Sequence, residues 1–340
     1  MYITAETLDD LMIRVLEILL RTRKRVDATR GGTTEVTGVL LKISNPLARL
    51  SRTETKGHIF SCLGELLWYL SKDNKLSFIV YYIKKYKDES EDGKTVYGGY
   101  GPRLYAARGH DQIANVLALL KQNPNSRRAV IQLFNAEDIA KRQVEIPCTC
   151  TLQFLIRKDK LHMFTSMRSN DAFKGLPHDV FAFTMLQELM ARSLGVELGT
   201  YKHAVGSLHL YDDDAERARR YVNEGFQESI AMPPMPVGDP EESVAALLAA
   251  ESAIRKGKPL TQRVQRLHPY WADLVRLLQI YQLSLKGKRN EIARIKRKMT
   301  SPIFNPYILR REKAKSTTPK PEQMAMPFAN GLGAMNGEKD

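Results

Sequence analysis

The stretch "CTLQFLIRKDKLHMFTSMRS", residues 150–169, constrains the fold most. Apolar and polar residues alternate on both sides of Lys158-Asp159-Lys160. That pattern predicts two strands joined by a tight turn. "SRRAVIQLF" and "GTYKHAVGSLHLY" read as further strands, and "VFAFTMLQELMARSLG" as a long helix stopped at Gly195. Upstream, "TLDDLMIRVLEILLRTRK" puts Leu8, Met12, Val15, Leu16 and Leu19 on one helical face. "RVDATRGGTTEVTGVLLKI" is a Gly/Thr-rich turn entering a β-branched strand. "KGHIFSCLGELLWYLSKDNKLSFIVYYIKKY" is strongly apolar and helical, with Glu65 inside it. "DGKTVYGGYGPRLY" reads as a Gly/Tyr loop, and "HDQIANVLALLKQNP" as a helix ended by Pro124. Helices interleaved with strands indicate an α/β chain, of the α+β type.

With 340 residues, 43% of them hydrophobic, the chain can bury a sizeable core. The texture changes near residue 232, where "MPPMPVGDPEES" forms a Pro-rich linker before a helical region. The expected organisation is a main domain over 1–230, a helical extension over 231–311 and a disordered tail over 312–340. Lys and Arg number 52 against 38 Asp and Glu, a net charge of +14. Such a balance favours anionic partners, either polyanions or small phosphorylated molecules. Much of the excess lies in "SLKGKRNEIARIKRKM" and "ILRREKAK", so it says less about the main domain. No stretch approaches the roughly 18 apolar residues of a membrane span. Asp9, Asp10 and Glu17 interrupt the first apolar run, so no export signal is expected there. The expected location is the cytoplasm, where thiols stay reduced.

Two of the three cysteines stand either side of Thr149 in "EIPCTCTLQF". A C-x-C pair lacks the further ligands of a structural zinc site, and no metal is expected. A lone Cys is most often buried packing. The surroundings weigh against that reading for at least one of them. Arg127 and Arg128 stand in tandem, and Arg168 and Ser169 offer a guanidinium fork and a hydroxyl suited to a phosphate. His209 and Tyr211 share one face of a predicted strand.

"NPNSRRAVI", "PCTCTLQF", "MRSNDAFKGLPHD" and "GSLHLY", in this order, closely resemble the thymidylate synthase superfamily. "LGELLWYL" is similar to its helix bearing a catalytic Glu, and "YGPRLY" to its Tyr-Gly loop, which contributes Tyr100. The resemblance spans about residues 10–215. It implies a mixed, largely antiparallel sheet flanked by helices. It also implies roles. Cys148 would be the nucleophile that adds to C6 of a pyrimidine, and Glu65 would order water for proton transfers. Arg30, Arg168 and Ser169 would hold the 5′-phosphate, and Arg127 and Arg128 would reach the phosphate of the other subunit of a homodimer. His209 and Tyr211 would bond the sugar hydroxyl. Asp171 and Gly175 would meet the co-substrate 5,10-methylenetetrahydrofolate. Cys150 has no matching role. Arg30 sits in "DATRGGTTE", which departs from the family's Arg-Thr-Gly-Thr form.

One departure bears on the substrate. Where thymidylate synthases end a "GLPxN" stretch in Asn, this chain has "GLPHD", ending in Asp179. Uracil offers an N3–H donor beside an O4 acceptor, which an amide complements; cytosine reverses them. A protonated carboxyl donates to N3 and accepts from the amine. The resemblance is therefore closest to the cytidylate hydroxymethylase branch, with dCMP or CMP as substrate. Asp179→Asn is expected to weaken cytidylate use and improve uridylate use. The segment after the Glu-bearing helix lacks the Trp that many synthases carry there, so water would reach the C5 methylene more easily. The alternatives are a thymidylate synthase acting on dUMP, a cytidylate methylase, and a catalytically idle scaffold whose basic tail binds nucleic acid.

Overall fold

The computed structural model describes residues 1–28, 31–55 and 57–313. Arg30 and the tail from residue 314 lie outside the described residues. Strand β1 (Tyr2–Ala5) leads into helix α1 (Leu8–Arg21), which is capped by the Thr7 hydroxyl accepting from Asp10 N. The five apolar residues of its predicted face are all buried. β2 (Arg25–Ala28) and β3 (Gly31–Ile43) then pair antiparallel. α2 (Ile59–Leu70) is buried on almost every side, as an all-round apolar helix must be, and α3 (Leu76–Tyr82) follows it.

The Tyr-Gly segment, expected as a loop, is instead a short helix, α4 (Tyr100–Tyr105). Arg103 draws it inward by a two-pronged pair with buried Asp138, at 2.7 and 2.9 Å. Pro102 sits in its first turn, where no N–H is needed. α5 (Gln112–Gln122) is followed by β4 (Val130–Gln132), much shorter than its predicted stretch. β5 (Thr149–Arg157) and β6 (Lys160–Asp171) form the expected hairpin, with Lys158 and Asp159 both at positive φ in the turn. α6 (Gly175–Leu194) ends at Gly195, whose φ of 68° suits a residue without Cβ. β7 (Glu197–Tyr211) and α7 (Ala215–Asn223) complete this part.

The seven strands make one sheet in the order β1-β3-β7-β6-β5-β4, with β2 on β3. β1–β3 and β6–β7 are parallel, and the other pairings are antiparallel. The sheet is thus mixed and largely antiparallel. α1 and α6 pack on it. Leu152, Phe154, Leu161, Met163 and Met167 are buried, while Leu155 and Phe164 of the opposite parity are only half-buried. One sheet face is covered by helices and the other is half-open.

The extension contributes α8 (Glu241–Arg255), α9 (Pro269–Leu285), α10 (Arg289–Lys296) and α11 (Asn305–Lys313). It packs against α2 and α3. Tyr82 donates to Glu251 at 2.9 Å, and Tyr281 donates to the Tyr81 carbonyl at 2.8 Å. Its apolar residues belong to the same continuous cluster as those of α1 and the sheet. Among the described residues, no helix is long and apolar enough to cross a membrane.

Candidate active site

α2 carries Glu65 into the interior, 6% exposed. Its Oε1 accepts from the Tyr86 hydroxyl at 2.5 Å. Burial pushes the Glu65 carboxyl up from its ordinary pKa, and bonds from Tyr86 and Tyr69 oppose the rise. The Trp68 ring meets Tyr86 edge-on at 5.3 Å, so aromatic rings wall this carboxyl.

Cys148 lies at the bend entering β5. Thr149 pairs with Met167 and Thr151 with Ser166, which leaves Cys150 as the extra residue of a bulge. Bulges re-aim side chains beside functional sites. Arg168 N donates to the Cys148 carbonyl at 2.8 Å. The Arg168 guanidinium clasps the preceding segment, donating to the carbonyls of Pro147 (2.9 Å) and Ile146 (3.1 Å). The Tyr100 hydroxyl lies 2.9 Å from Thr149 Oγ1 and accepts from Thr149 N at 3.2 Å. The nucleophile candidate is thereby held from both sides. All three cysteines are free thiols, and Cys148 is half-buried at the core's edge. Burial pushes the Cys150 thiol up, with Arg168 opposing.

Asp179 lies within the second turn of α6. It is partly exposed. Burial holds its carboxyl well above the usual range; nearby Glu65 and Asp171 add to this, and a bond from Asn170 opposes it. Asn170 Nδ2 donates to Asp179 Oδ2 at 2.7 Å. Neighbouring His178 ties α6 to α2, with Nε2 3.0 Å from Ser61 Oγ. The aligned parallel strands β6 and β7 bring Ser169 opposite Ser207 and Asp171 opposite His209. Ser169 Oγ is 3.4 Å from His209 Nδ1, and the His209 and Tyr211 rings meet edge-on at 5.1 Å.

Asp171 Oδ1 accepts from Phe173 N and Lys174 N, both at 2.8 Å, which shapes the turn into α6. Gly175 stands over the Asn170–Asp179 pair; a Cβ there would come within 3.0 Å of Asn170 Nδ2. A cleft of about 580 Å³ opens between Lys85, Glu89 and Glu91 and the segment Arg142–Val144 that leads to Cys148. Its lining carries three carboxylates, Asp88, Glu89 and Glu91, against the two cations Lys85 and Arg142, and none of the candidate side chains.

Cys148, Glu65, Tyr100, Asp179, Arg168, Ser169, His209 and Tyr211 are thus brought to one region. Arg127 and Arg128 are not. They precede β4, which pairs with the middle of β5, and the β5 residues facing them are about seven beyond Cys148. At a rise of about 3.3 Å per residue, that is roughly 20 Å from the thiol. Both side chains are exposed, and neither guanidinium has a partner among the described residues. Sequence reasoning passed over Tyr69, Tyr86 and Asn170. The signals were present: an aromatic run, "YYIKKY", after the Glu65 helix, and an Asn inside "MRSND". Among the described residues, no three His, Cys, Asp or Glu gather as a metal-binding group.

Comparison with known proteins shows the family. A family model described as thymidylate synthase matches residues 9–251, beyond the resemblance traced to 215 and into α8. Thymidylate synthases of Buchnera aphidicola subsp. Acyrthosiphon pisum, from strains APS, Tuc7 and 5A, are each 30% identical over 217 residues. Each such match covers 62% of this chain and 82% of the relative. The matched span holds Cys148, Glu65, Asp179 and the other candidate side chains, and the chain belongs to the thymidylate synthase family.

Proposed function

We propose that the protein is a cytoplasmic, homodimeric dCMP or CMP 5-hydroxymethyltransferase. The observation that carries this is Asp179. Enclosure by protein, with Glu65 nearby, raises its carboxyl well above the ordinary pKa and favours the protonated form, which can donate to cytosine N3 while accepting from the 4-amino group. Methylenetetrahydrofolate, the family's co-substrate, supplies a one-carbon unit, and water supplies the hydroxyl. Asp171 uses one oxygen to hold the turn into α6, and its second oxygen is left for the co-substrate's ring.

The Cys148 thiolate adds to C6, and the electrons of the 5,6 double bond pass to C5, which forms the new carbon–carbon bond. The C5 proton then leaves and the carbon–nitrogen bond to the folate breaks, so that tetrahydrofolate departs and leaves an exocyclic methylene on C5, to which water adds. Glu65, with a raised pKa and a fixed bond to Tyr86, suits the exchange of protons with water above the ring. After water has added, expulsion of the Cys148 thiolate restores the 5,6 double bond. Arg168 and Ser169 bind the 5′-phosphate, and Arg30 is assigned to it by family resemblance alone. His209 and Tyr211 bond the sugar. Arg127 and Arg128 serve the partner subunit's phosphate. Their distance from Cys148 in their own chain and the half-open sheet face both support that reading.

The names of the matched relatives favour a second reading, methylation of dUMP to dTMP. One experiment separates the two. The protein is incubated with methylenetetrahydrofolate and each of dUMP, dCMP, UMP and CMP, and the products are weighed by mass spectrometry. Hydroxymethylcytidylate is expected; dTMP with release of dihydrofolate, and no reaction of dCMP, would sink the proposal.

A further inference from the structure

We infer that Asn170 is a positioning residue that decides which oxygen of Asp179 carries the proton, and therefore which pyrimidine edge the site reads. The inference rests on Asp179 facing the base, as proposed above. Asn170 is 4% exposed on β6, and its Nδ2 donates to Asp179 Oδ2 at 2.7 Å. Its own Oδ1 is buried with no partner among the described residues. Gly175 makes room for the pair, because a Cβ there would lie 3.0 Å from Asn170 Nδ2 and 3.5 Å from Asp179 Oδ2. The titratable groups around Asp179 are Glu65 and Tyr69 of α2, Tyr100 of α4, Asp171 of β6 and Tyr201 of β7. None of these is a cation.

An amide N–H needs an unprotonated oxygen opposite it. Oδ2 of Asp179 is therefore the acceptor, and the proton of the neutral acid sits on Oδ1. Oδ2 keeps a second lone pair. The carboxyl then presents a donor and an acceptor in fixed order, which is the order that cytosine N3 and its amine require. The same bond governs an amide at this position. In Asp179→Asn, the Asn170 donor would again demand the carbonyl oxygen opposite it. The new NH2 would take the place of Oδ1–H, and the cytosine order would persist. Reading uracil would require the new amide to rotate, which either sets NH2 against NH2 or turns Asn170 as well and leaves its NH2 in the buried place where Oδ1 has no partner among the described residues. Asp179→Asn alone is thus an incomplete switch, and freeing the amide from Asn170 completes it.

Two measurements test this. Dissociation constants for dCMP and dUMP are determined for wild type, Asp179→Asn, Asn170→Leu and the double variant. The single Asp179→Asn exchange should move the dCMP:dUMP ratio by less than about tenfold, and the double variant by a further tenfold or more, the value of roughly one buried hydrogen bond. Separately, the Asp179 carboxyl is followed by carbon-13 NMR in the ligand-free protein. In Asn170→Leu its midpoint should rise by about one pH unit, because the lost bond favoured the charged form. Asn170→Ala serves if the Leu variant does not fold. An unmoved midpoint in a folded Asn170 variant, or full uridylate preference from Asp179→Asn alone, overturns the role of Asn170. A wild type that prefers dUMP overturns the function proposed above, while the NMR midpoint still tests the Asn170–Asp179 coupling.

Discussion

Replacing Asp179 with Asn should abolish the pH dependence of cytidylate recognition. In the wild type the carboxyl is enclosed beside Glu65 and Asp171, and its pKa is raised well above the ordinary value. Only the protonated form offers N3 a donor. Above the midpoint the protonated fraction falls tenfold per pH unit, so binding weakens by about 1.4 kcal/mol for each unit. An amide has no such proton to lose. The assay is equilibrium binding of dCMP and dUMP between pH 7 and 9, in a Cys148→Ser background so that the thiol adds no titration. The nucleotide phosphate titrates near pH 6 and is shared by both ligands. The ratio of the two affinities therefore isolates the base. In the wild type the ratio should move toward dUMP as pH rises through the Asp179 midpoint, since an ionised carboxylate sets acceptor against cytosine N3. In the variant it should stay flat. Parallel slopes in the two proteins, or a wild-type ratio that moves toward dCMP with rising pH, would refute the reasoning.

Cys148→Ser should eliminate turnover and the release of tritium from C5, whereas Cys150→Ser should keep most activity; comparable loss from both, with folding intact by circular dichroism, counts against Cys148 as the nucleophile. Arg127→Ala or Arg128→Ala should raise KM for the nucleotide with little change in melting temperature, because a guanidinium–phosphate fork is lost. Mixing Arg127→Ala with Cys148→Ser subunits should restore activity, since one of the two mixed sites then has both groups intact. No recovery under demonstrated subunit exchange rules out donation across the interface.

What could be read in advance follows the range of the interactions. The hairpin at Lys158-Asp159, the buried face of α1 and the stop at Gly195 are local patterns of period two or 3.6, or a single backbone requirement. They were legible residue by residue. The Cys148 and Asp179 motifs were legible because their spacing resembles a family. The short helix at Tyr100 was not, since its stability comes from Arg103 reaching Asp138, 35 residues away. The Tyr86 bond to Glu65 spans 21 residues and leaves no mark on periodicity. Asn170 was hidden differently. It sits inside a recognised motif, but its meaning depends on the one oxygen of Asp179 that it touches.

The helical extension offers the last prediction, because it lies behind the helix that carries Glu65. Trp271, Leu274, Leu277, Leu278 and Ile280 of α9 are all nearly fully buried. Phe60 of α2 stacks on Tyr281 at 5.9 Å, and Tyr307 donates to the Ser51 carbonyl at 2.8 Å. Burying a large apolar side chain contributes about 1.5–3 kcal/mol, so the α9 residues together contribute on the order of 10 kcal/mol gross. The net stability of a domain is only about 5–15 kcal/mol. Truncation after Met235 is therefore expected to abolish cooperative unfolding. Leu277→Ala is the gentler probe. It should cost about 2–5 kcal/mol by leaving a cavity, and by loosening the support of α2 it should lower kcat more than it raises KM for the nucleotide. Tyr281→Phe removes one hydroxyl bond to Tyr81 and should cost only about 1 kcal/mol, with kcat little changed. The readouts are thermal denaturation and steady-state kinetics on the same preparations. A chain ending at Met235 that melts cooperatively at the full-length temperature, with full kcat, would show that the catalytic part stands alone and that the extension is an add-on serving another purpose.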